Sequence, residues 1–180
     1  MAYPPTARSM HDHAFDDQLS ELLPRLRRFA LWLTRDLSSA DDLVQSTMER
    51  ALSTRAAKRE QGDLRAWLFR ILYRQFLDAR RRARRYAWLL GRLREEDEPE
   101  WPSAEREALA QSALAAFEHL TPEQRSLLLW VTVEGMSYQD VADILDVPIG
   151  TVMSRLSRAR QAMRRYGDGE QPTPSLRLLK

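Results

Sequence analysis

The sequence predicts an all-α protein made of two small helical domains joined by a flexible acidic linker. Apolar residues recur at helical spacing in both halves of the chain, and helix-capping residues precede several of these stretches. Charge separates the halves: ten arginines and one acidic residue lie between Arg65 and Arg94, and the acidic stretch Glu95–Glu100 follows. An acidic, proline-containing stretch without apolar periodicity is typical of a linker.

These features predict the boundaries of the domains. We expect a first domain at residues 13–85, a linker at 86–104 and a second domain at 105–166. The two ends of the chain, residues 1–12 and 167–180, are expected to be disordered. Each domain is so small that its apolar core is marginal, and we expect each to gain stability from a partner.

The first domain is expected to begin with two helices. The first has an apolar face from Leu19 to Leu33, and a proline at position 24 is compatible with it only in a first turn. Ser38 and Ser39 are expected to cap the second helix, with acidic residues near its positive end. The inward face of the second helix is formed by Leu43, Val44, Thr47, Met48 and Ala51.

A third helix in the first domain is predicted by apolar residues at full helical periodicity, namely Leu64, Trp67, Leu68, Ile71 and Leu72. Trp67 lies on this stripe, which favours a core position over a role in stacking on a base. The basic stretch Arg80–Arg85 follows and is suited to contact phosphates, the part of nucleic-acid affinity that does not depend on sequence.

The second domain carries the pattern of a helix-turn-helix. Thr121 is a cap with proline at the next position and glutamine at the third, and Gly135 is expected to end that helix in a left-handed conformation. Ser137 and Asp140 form a second capping pair, and Asp146–Pro148 interrupts the chain before the next helix.

The helix that follows Pro148 has two sides of different character. Its apolar residues fall on one narrow stripe: Val152, Leu156, Ala159 and Met163. Its polar residues lie opposite, at Ser154, Arg158, Gln161 and Arg165, with Thr151 and Arg155 on the flanks. Arginine and serine can bind both phosphates and base edges in a major groove, so the pattern indicates that one side packs and the other binds DNA.

Composition excludes several classes of protein. There are 28 basic and 26 acidic residues and no cysteine, which excludes a disulfide scaffold and cysteine-ligated zinc. No apolar stretch is long enough to span a membrane and no signal peptide is recognisable, so we expect a soluble cytoplasmic protein. All but two basic residues are arginines, the residue type suited to planar contacts with phosphate and guanine.

Motifs in both domains are similar to those of bacterial sigma factors. Residues 42–45, 66–71 and 78–82 resemble region two of that family. Region four is similar to residues 120–125, 135–138, 150–155 and 158–160. The length and the two-domain layout resemble the extracytoplasmic function (ECF) group. The resemblance implies a sigma region two bundle, a region four helix-turn-helix and a factor that directs promoter-specific transcription initiation without catalysis of its own.

The resemblance also implies partners and site residues. The partners are core RNA polymerase, through the clamp helices of its largest subunit and its flap region, promoter DNA and an anti-sigma factor; no cofactor, metal or small-molecule substrate is expected. Core polymerase would contact Asp41, Asp42, Gln45, Met48 and Glu49. The minus-ten element would contact Lys58, Arg59, Arg70, Arg74, Gln75, Arg81 and Arg82. The minus-thirty-five element would contact Thr151, Met153, Ser154, Arg155, Arg158 and Gln161.

Two positions depart from the family pattern, and both concern promoter preference. The family often has an asparagine that grips a flipped minus-ten base where this chain has Arg74, and a basic residue where it has Met153. The acidic linker is either a solubilising spacer or, as in ECF factors, a segment that enters polymerase channels meant for nucleic acid; the resemblance favours the second.

Other classes of function explain less of the sequence. A stand-alone helix-turn-helix regulator accounts for the second domain but leaves the motif at residues 42–45 without a role. A basic amphipathic segment at a membrane surface accounts for residues 80–94 and leaves the DNA-binding pattern unexplained. An enzyme is least expected, since there is no glycine-rich phosphate loop, and His11 and His13, which could bind a metal weakly, lie at the N-terminal end of the chain, where residues 1–12 are expected to be disordered.

Overall fold

The computed structural model describes residues 7–58, 63–89 and 116–167, and these residues form helices and turns without a strand. The prediction of an all-α fold is confirmed. The chain divides into two compact units, residues 1–99 and 100–180. The acidic stretch, most of the predicted linker and the last thirteen residues, 168–180, lie outside the described residues.

The described residues of the first unit form three helices: α1 (Ala7–Thr34), α2 (Leu37–Lys58) and α3 (Leu64–Leu89). All three pack against one another around a buried apolar core. At its centre the rings of Phe29 and Phe69 meet edge to face, with their centroids 5.0 Å apart. Leu26, Leu68 and Leu72 are fully buried around this pair.

Helix α1 is longer than the sequence predicts. It begins at Ala7, so residues 7–12, expected to be disordered, are helical, whereas residues 1–6 lie outside the described part. Pro24 lies inside this helix and not in a first turn, contrary to expectation. The proline costs one backbone hydrogen bond and faces solvent, while Leu26 and Phe29 just beyond it are buried. Tertiary packing of this face outweighs the local penalty.

Helices α2 and α3 differ from the predictions at their edges. The backbone N–H of Ser39 donates to the Asp36 carboxylate over 2.7 Å, so Asp36 caps α2 in place of the predicted serines. Trp67 is half-buried and lies at the edge of the core, because the α3 face that packs inward is centred on Phe69. Helix α3 also continues to Leu89, so the first residues of the predicted linker are helical.

The second unit contains α4 (Pro122–Leu128), a π-helix that continues it (Leu129–Val133), α5 (Tyr138–Leu145) and α6 (Ile149–Gly167). Its buried core includes Leu120, Trp130, Val141, Val152 and Leu156. Helices α4 and α5 each pack against α6, which gives the helix-turn-helix arrangement that the sequence predicts. The π-helix was not predicted.

Local signals set the boundaries of these helices. Complete capping boxes start α4 and α5: Thr121 pairs with Gln124, and Ser137 pairs with Asp140. Gly135 follows the π-helix with a φ of +62°, as predicted for a helix-terminating glycine. Asp146 ends α5 in the left-handed region, with a φ of +55°. Gly167, predicted to lie in the disordered tail, is the last residue of α6.

Candidate functional site

Helix α2 presents an acidic and polar face on the surface of the first unit. Asp41, Asp42, Gln45 and Glu49 are exposed at helical spacing, and Met48 is half-buried beside them. The opposite side of α2 holds it to the bundle through buried residues, namely Leu43, Val44, Thr47 and Ala51. The residues predicted to contact polymerase therefore lie together on one face of one helix, which we call the α2 face.

Three members of the α2 face already have partners within the unit. The Arg27 guanidinium of α1 donates to both carboxylate oxygens of Asp41, over 2.6 Å from Nε and 3.1 Å from Nη2. This hydrogen bond lowers the pKa of Asp41 below its ordinary value of 3.8. Gln45 Nε2 donates to Glu49 Oε1 over 3.1 Å. Asp42 is exposed and makes no hydrogen bond or ion pair within the described part of the chain.

Helix α3 holds the described members of the predicted minus-ten set. Arg74, Arg81 and Arg82 are exposed, and Arg81 lies 3.4 Å from the Asp78 carboxylate. Arg70 is half-buried, and its Nε is buried without a hydrogen-bond partner among the described residues. Lys58 ends α2 and its side chain is not described, while position 59 lies outside the described residues.

Gln75 differs from the other predicted minus-ten residues because its amide is occupied within the unit. Its Oε1 accepts from the hydroxyl of Ser46 over 2.8 Å and lies 3.2 Å from the hydroxyl of Thr47. Its Nε2 donates to the Ser46 backbone carbonyl over 3.1 Å. The side chain is directed at α2, whereas the adjacent Arg74 faces solvent.

In the second unit, helix α6 has the two sides that the sequence predicts. Val152, Leu156 and Ala159 are buried on the apolar stripe, and Met163 is half-buried at its end. The polar residues Ser154, Arg158 and Gln161 are exposed on the other side, with Thr151 and Arg155 half-buried on the flank. Arg158 Nε approaches the backbone carbonyl of Ser154 at 3.4 Å, which leaves its guanidinium at the surface.

A third face of α6 was missed by the sequence analysis. Met153, Ser157, Arg160 and Arg164 recur at helical spacing and, with Leu156 and Tyr138 of α5, line an open cavity of about 250 Å³. Met153 was predicted to contact DNA together with Ser154, but it is rotated about 100° away from it around the helix. The spacing of these four residues can be read from the sequence. The cavity cannot, because its lining also includes Tyr138 from a different helix.

The α2 face of the first unit and helix α6 of the second unit carry opposite charge. Helix α6 contains five arginines and no acidic residue, whereas the exposed α2 face contains Asp41, Asp42 and Glu49. Within the described ranges no group of histidine, cysteine and acidic residues could hold a metal ion. No helix there is long and apolar enough to cross a membrane.

Family models match both units of the chain. Residues 19–73 match the model described as the Sigma2 domain of PhyR, and residues 110–163 match Sigma-70, region 4. These two matches fall in the first and the second compact unit, respectively.

Curated relatives and solved structures match over most of the chain. The ECF RNA polymerase sigma factor EcfG of Rhodopseudomonas palustris is 33% identical, over 82% of this chain and 81% of that protein. The ECF RNA polymerase sigma factor SigE of Mycolicibacterium smegmatis is 32% identical, over 85% of this chain and 61% of that protein. The sigma factor RpoE of Bartonella quintana, solved in complex with the anti-sigma factor NepR, aligns with a TM-score of 0.74 and 30% identity, covering 88% of this chain and 99% of that one.

Proposed function

The chain belongs to the ECF family of RNA polymerase sigma factors, and we propose from this premise how its two units direct promoter-specific transcription initiation. The first unit binds core RNA polymerase through the α2 face and contacts the minus-ten element through α3. The second unit contacts the minus-thirty-five element through α6. The chain contributes promoter specificity, and the catalytic chemistry belongs to the polymerase.

The observation that carries this division is the opposite charge of the α2 face and of helix α6. A cationic helix without acidic residues is suited to the negatively charged groove and backbone of DNA. An acidic surface such as the α2 face is repelled by DNA and is suited to a basic protein surface. We propose the clamp helices of the largest polymerase subunit as that surface, with Asp42 as its first contact because Asp41 is held by Arg27.

Within the second unit we propose two kinds of DNA contact. Ser154 and Arg158 lie on the side opposite the packed stripe and contact base edges, where a short serine allows close approach to the groove floor. Arg160 and Arg164 lie on the face that borders the cavity and contact phosphates, which fix the orientation of α6 without reporting sequence. Gln161 lies on the same side as Ser154 and Arg158, and Thr151 and Arg155 support this interface from the flank.

We propose that an anti-sigma factor restrains this chain until a signal releases it. The related RpoE of Bartonella quintana was solved in complex with an anti-sigma factor, which supports a partner of that class here. Since core polymerase and promoter DNA are cytoplasmic in bacteria, we place the function in the cytoplasm.

Run-off transcription with purified core polymerase tests the proposal. Genomic fragments are incubated with core enzyme alone, with core enzyme and the full chain, and with the chain alone, and specific transcripts are sequenced. We expect defined start sites only when both the chain and core enzyme are present. Tight, sequence-specific binding of fragments by the chain alone, with no added transcript, would instead identify a stand-alone helix-turn-helix regulator.

A further inference from the structure

The amide of Gln75 joins the two functional helices of the first unit. Gln75 of α3 forms a two-point contact with one residue of α2: its Oε1 lies 2.8 Å from the Ser46 hydroxyl, and its Nε2 lies 3.1 Å from the Ser46 carbonyl. The residue before it, Arg74, is exposed on the proposed minus-ten surface, and Gln45, beside Ser46, is exposed on the α2 face. The contact therefore lies one residue from each surface.

The arrangement of donors fixes the orientation of the amide. A carbonyl can only accept, so the NH2 group of Gln75 must face the Ser46 carbonyl and its oxygen must face the hydroxyls. Each hydroxyl has one proton, and both hydroxyls also approach the Leu43 carbonyl, Thr47 at 2.7 Å and Ser46 at 3.0 Å. The shorter distances assign the Thr47 proton to Leu43 and the Ser46 proton to Gln75.

This geometry restricts sliding between the helices in a way that apolar packing does not. Apolar contacts are non-directional, so a leucine at position 75 would allow α3 to slide or rotate slightly against α2. By contrast, Gln75 donates one hydrogen bond to Ser46 and accepts another from it. A shift of less than one helical turn breaks both bonds, because hydrogen bonds weaken steeply with distance and angle.

We propose that Gln75 is a positioning residue that sets the register of α3 against α2, and so the place of Arg74 at the minus-ten element when the α2 face is bound to polymerase. This inference rests on the proposed function and replaces a direct contact between Gln75 and DNA. The two roles have different consequences. A positioning residue acts through Ser46, whereas a residue that contacts a base acts alone and changes the preferred sequence.

The experiment compares Gln75→Leu, Ser46→Ala and the double variant with the wild-type chain. The control is Ser53→Ala. Ser53 is an exposed serine of α2, the helix that contains Ser46, and its hydroxyl donates to the Arg50 carbonyl. The affinity of each chain for core polymerase is measured by fluorescence anisotropy. Promoter opening by each holoenzyme is measured as permanganate reactivity at the minus-ten element, on a promoter that the wild-type holoenzyme transcribes. Base preference there is measured on templates randomised at the minus-ten positions.

We expect Ser46→Ala to reduce promoter opening about fivefold, the ratio set by loss of one typical hydrogen bond. Gln75→Leu also removes the bond to the Ser46 carbonyl and should reduce opening at least as much, and the double variant should lose no more than Gln75→Leu. Core affinity and base preference should stay unchanged, and Ser53→Ala should match the wild type. A changed base preference in Gln75→Leu alone would overturn the proposal in favour of a direct base contact. Opening at the wild-type level in both single variants would overturn it as well.

A double-mutant cycle on thermal unfolding of the free chain tests the contact without polymerase. We expect the losses from Gln75→Leu and Ser46→Ala to be non-additive, since both remove the hydrogen bond between the Ser46 hydroxyl and Gln75 Oε1. Additive losses would show that the contact does not form and would overturn the inference. A wild-type chain that supports no transcript from any fragment would overturn the proposed function and, with it, the positioning role, whatever the cycle shows.

Discussion

Helices α2 and α6 both expose a surface for a partner, and the two surfaces carry opposite charge. Each helix buries one face in the core of its unit and leaves another face exposed, but the α2 face is acidic and the charged residues of α6 are all basic. The two also differ in how their charges are held. Asp41 on α2 is paired with Arg27, whereas α6 has no acidic residue of its own to neutralise its arginines.

In both helices, the buried residues determine packing within the unit and the exposed charges determine the class of partner. The buried stripes of α2 and α6 are both largely apolar, so they do not distinguish one class of partner from another. The exposed sides specify it: an acidic surface excludes nucleic acid, and a basic one attracts it through its phosphates. Substitutions on the two kinds of face should therefore affect different measurements, and the predictions below test that separation.

The largest effect is expected from the buried stripe of α6. Leu156 is 1% exposed, and Leu156→Ala should cost about 2–5 kcal/mol of unfolding free energy through lost burial and a cavity, a large fraction for so small a unit. Circular dichroism and thermal unfolding measure the loss. The exposed neighbour Ser157→Ala is the control and should unfold like the wild type. Equal stability of the two variants would contradict the assignment of the stripe.

A smaller effect, on polymerase alone, is expected from the α2 face. Asp42→Arg combined with Gln45→Ala should weaken core binding by about 2 kcal/mol, because it reverses one charge and removes one polar group at the interface. Fluorescence anisotropy with labelled chain and core enzyme gives the affinity. The control is Asp17→Arg, which makes the same charge change at an exposed position of α1. Equal affinity of the double variant and the wild type would sink the proposed polymerase surface.

The third effect separates base contacts from phosphate contacts on α6. Arg158→Ala should lose about 1–3 kcal/mol on the preferred minus-thirty-five sequence and relax preference at one position. Arg160→Ala should weaken binding to all sequences and reduce the slope of affinity against salt by about one. Holoenzyme binding to randomised duplexes at several salt concentrations measures both effects.

The two arginine substitutions serve as controls for each other, since they remove the same side chain from neighbouring faces of one helix. Indistinguishable salt slopes and sequence preferences would refute the separation of the two faces. Transcription at the wild-type level by both Arg158→Ala and Ser154→Ala would show that α6 does not contact the promoter bases.

The smallest effect concerns the internal pairing of the α2 face. The pKa of Asp41 is lowered by its hydrogen bond with Arg27, so the carboxylate stabilises the fold above pH 3.8, and this stabilisation is lost as pH falls through the lowered pKa. Asp41→Asn should therefore flatten the decrease in melting temperature on the acid side. Asp42→Asn removes the same charge from a residue that has no partner within the described ranges, and it is the control. Identical acid profiles of the two variants would contradict the pairing.

The amino-acid sequence by itself determined the features that depend on neighbours along the chain. Capping boxes at Thr121 and Ser137, the left-handed glycine at 135 and the apolar stripe of α6 were all predicted and are all present. Each rests on contacts between residues within a few positions of one another, so the chemical signal and the structure coincide. Family motifs in both units could be recognised for the same reason.

Only the tertiary structure decided the features that depend on residues far apart in sequence. Pro24 is retained inside α1 because the face beyond it packs on α3, and Trp67 lies at the edge of a core that is centred on the contact between Phe29 and Phe69. Gln75 is held by a serine 29 positions earlier, a partner that no periodicity in α3 could indicate. Such side chains acquire their roles from packing and hydrogen-bond geometry, which exist only after the helices have come together.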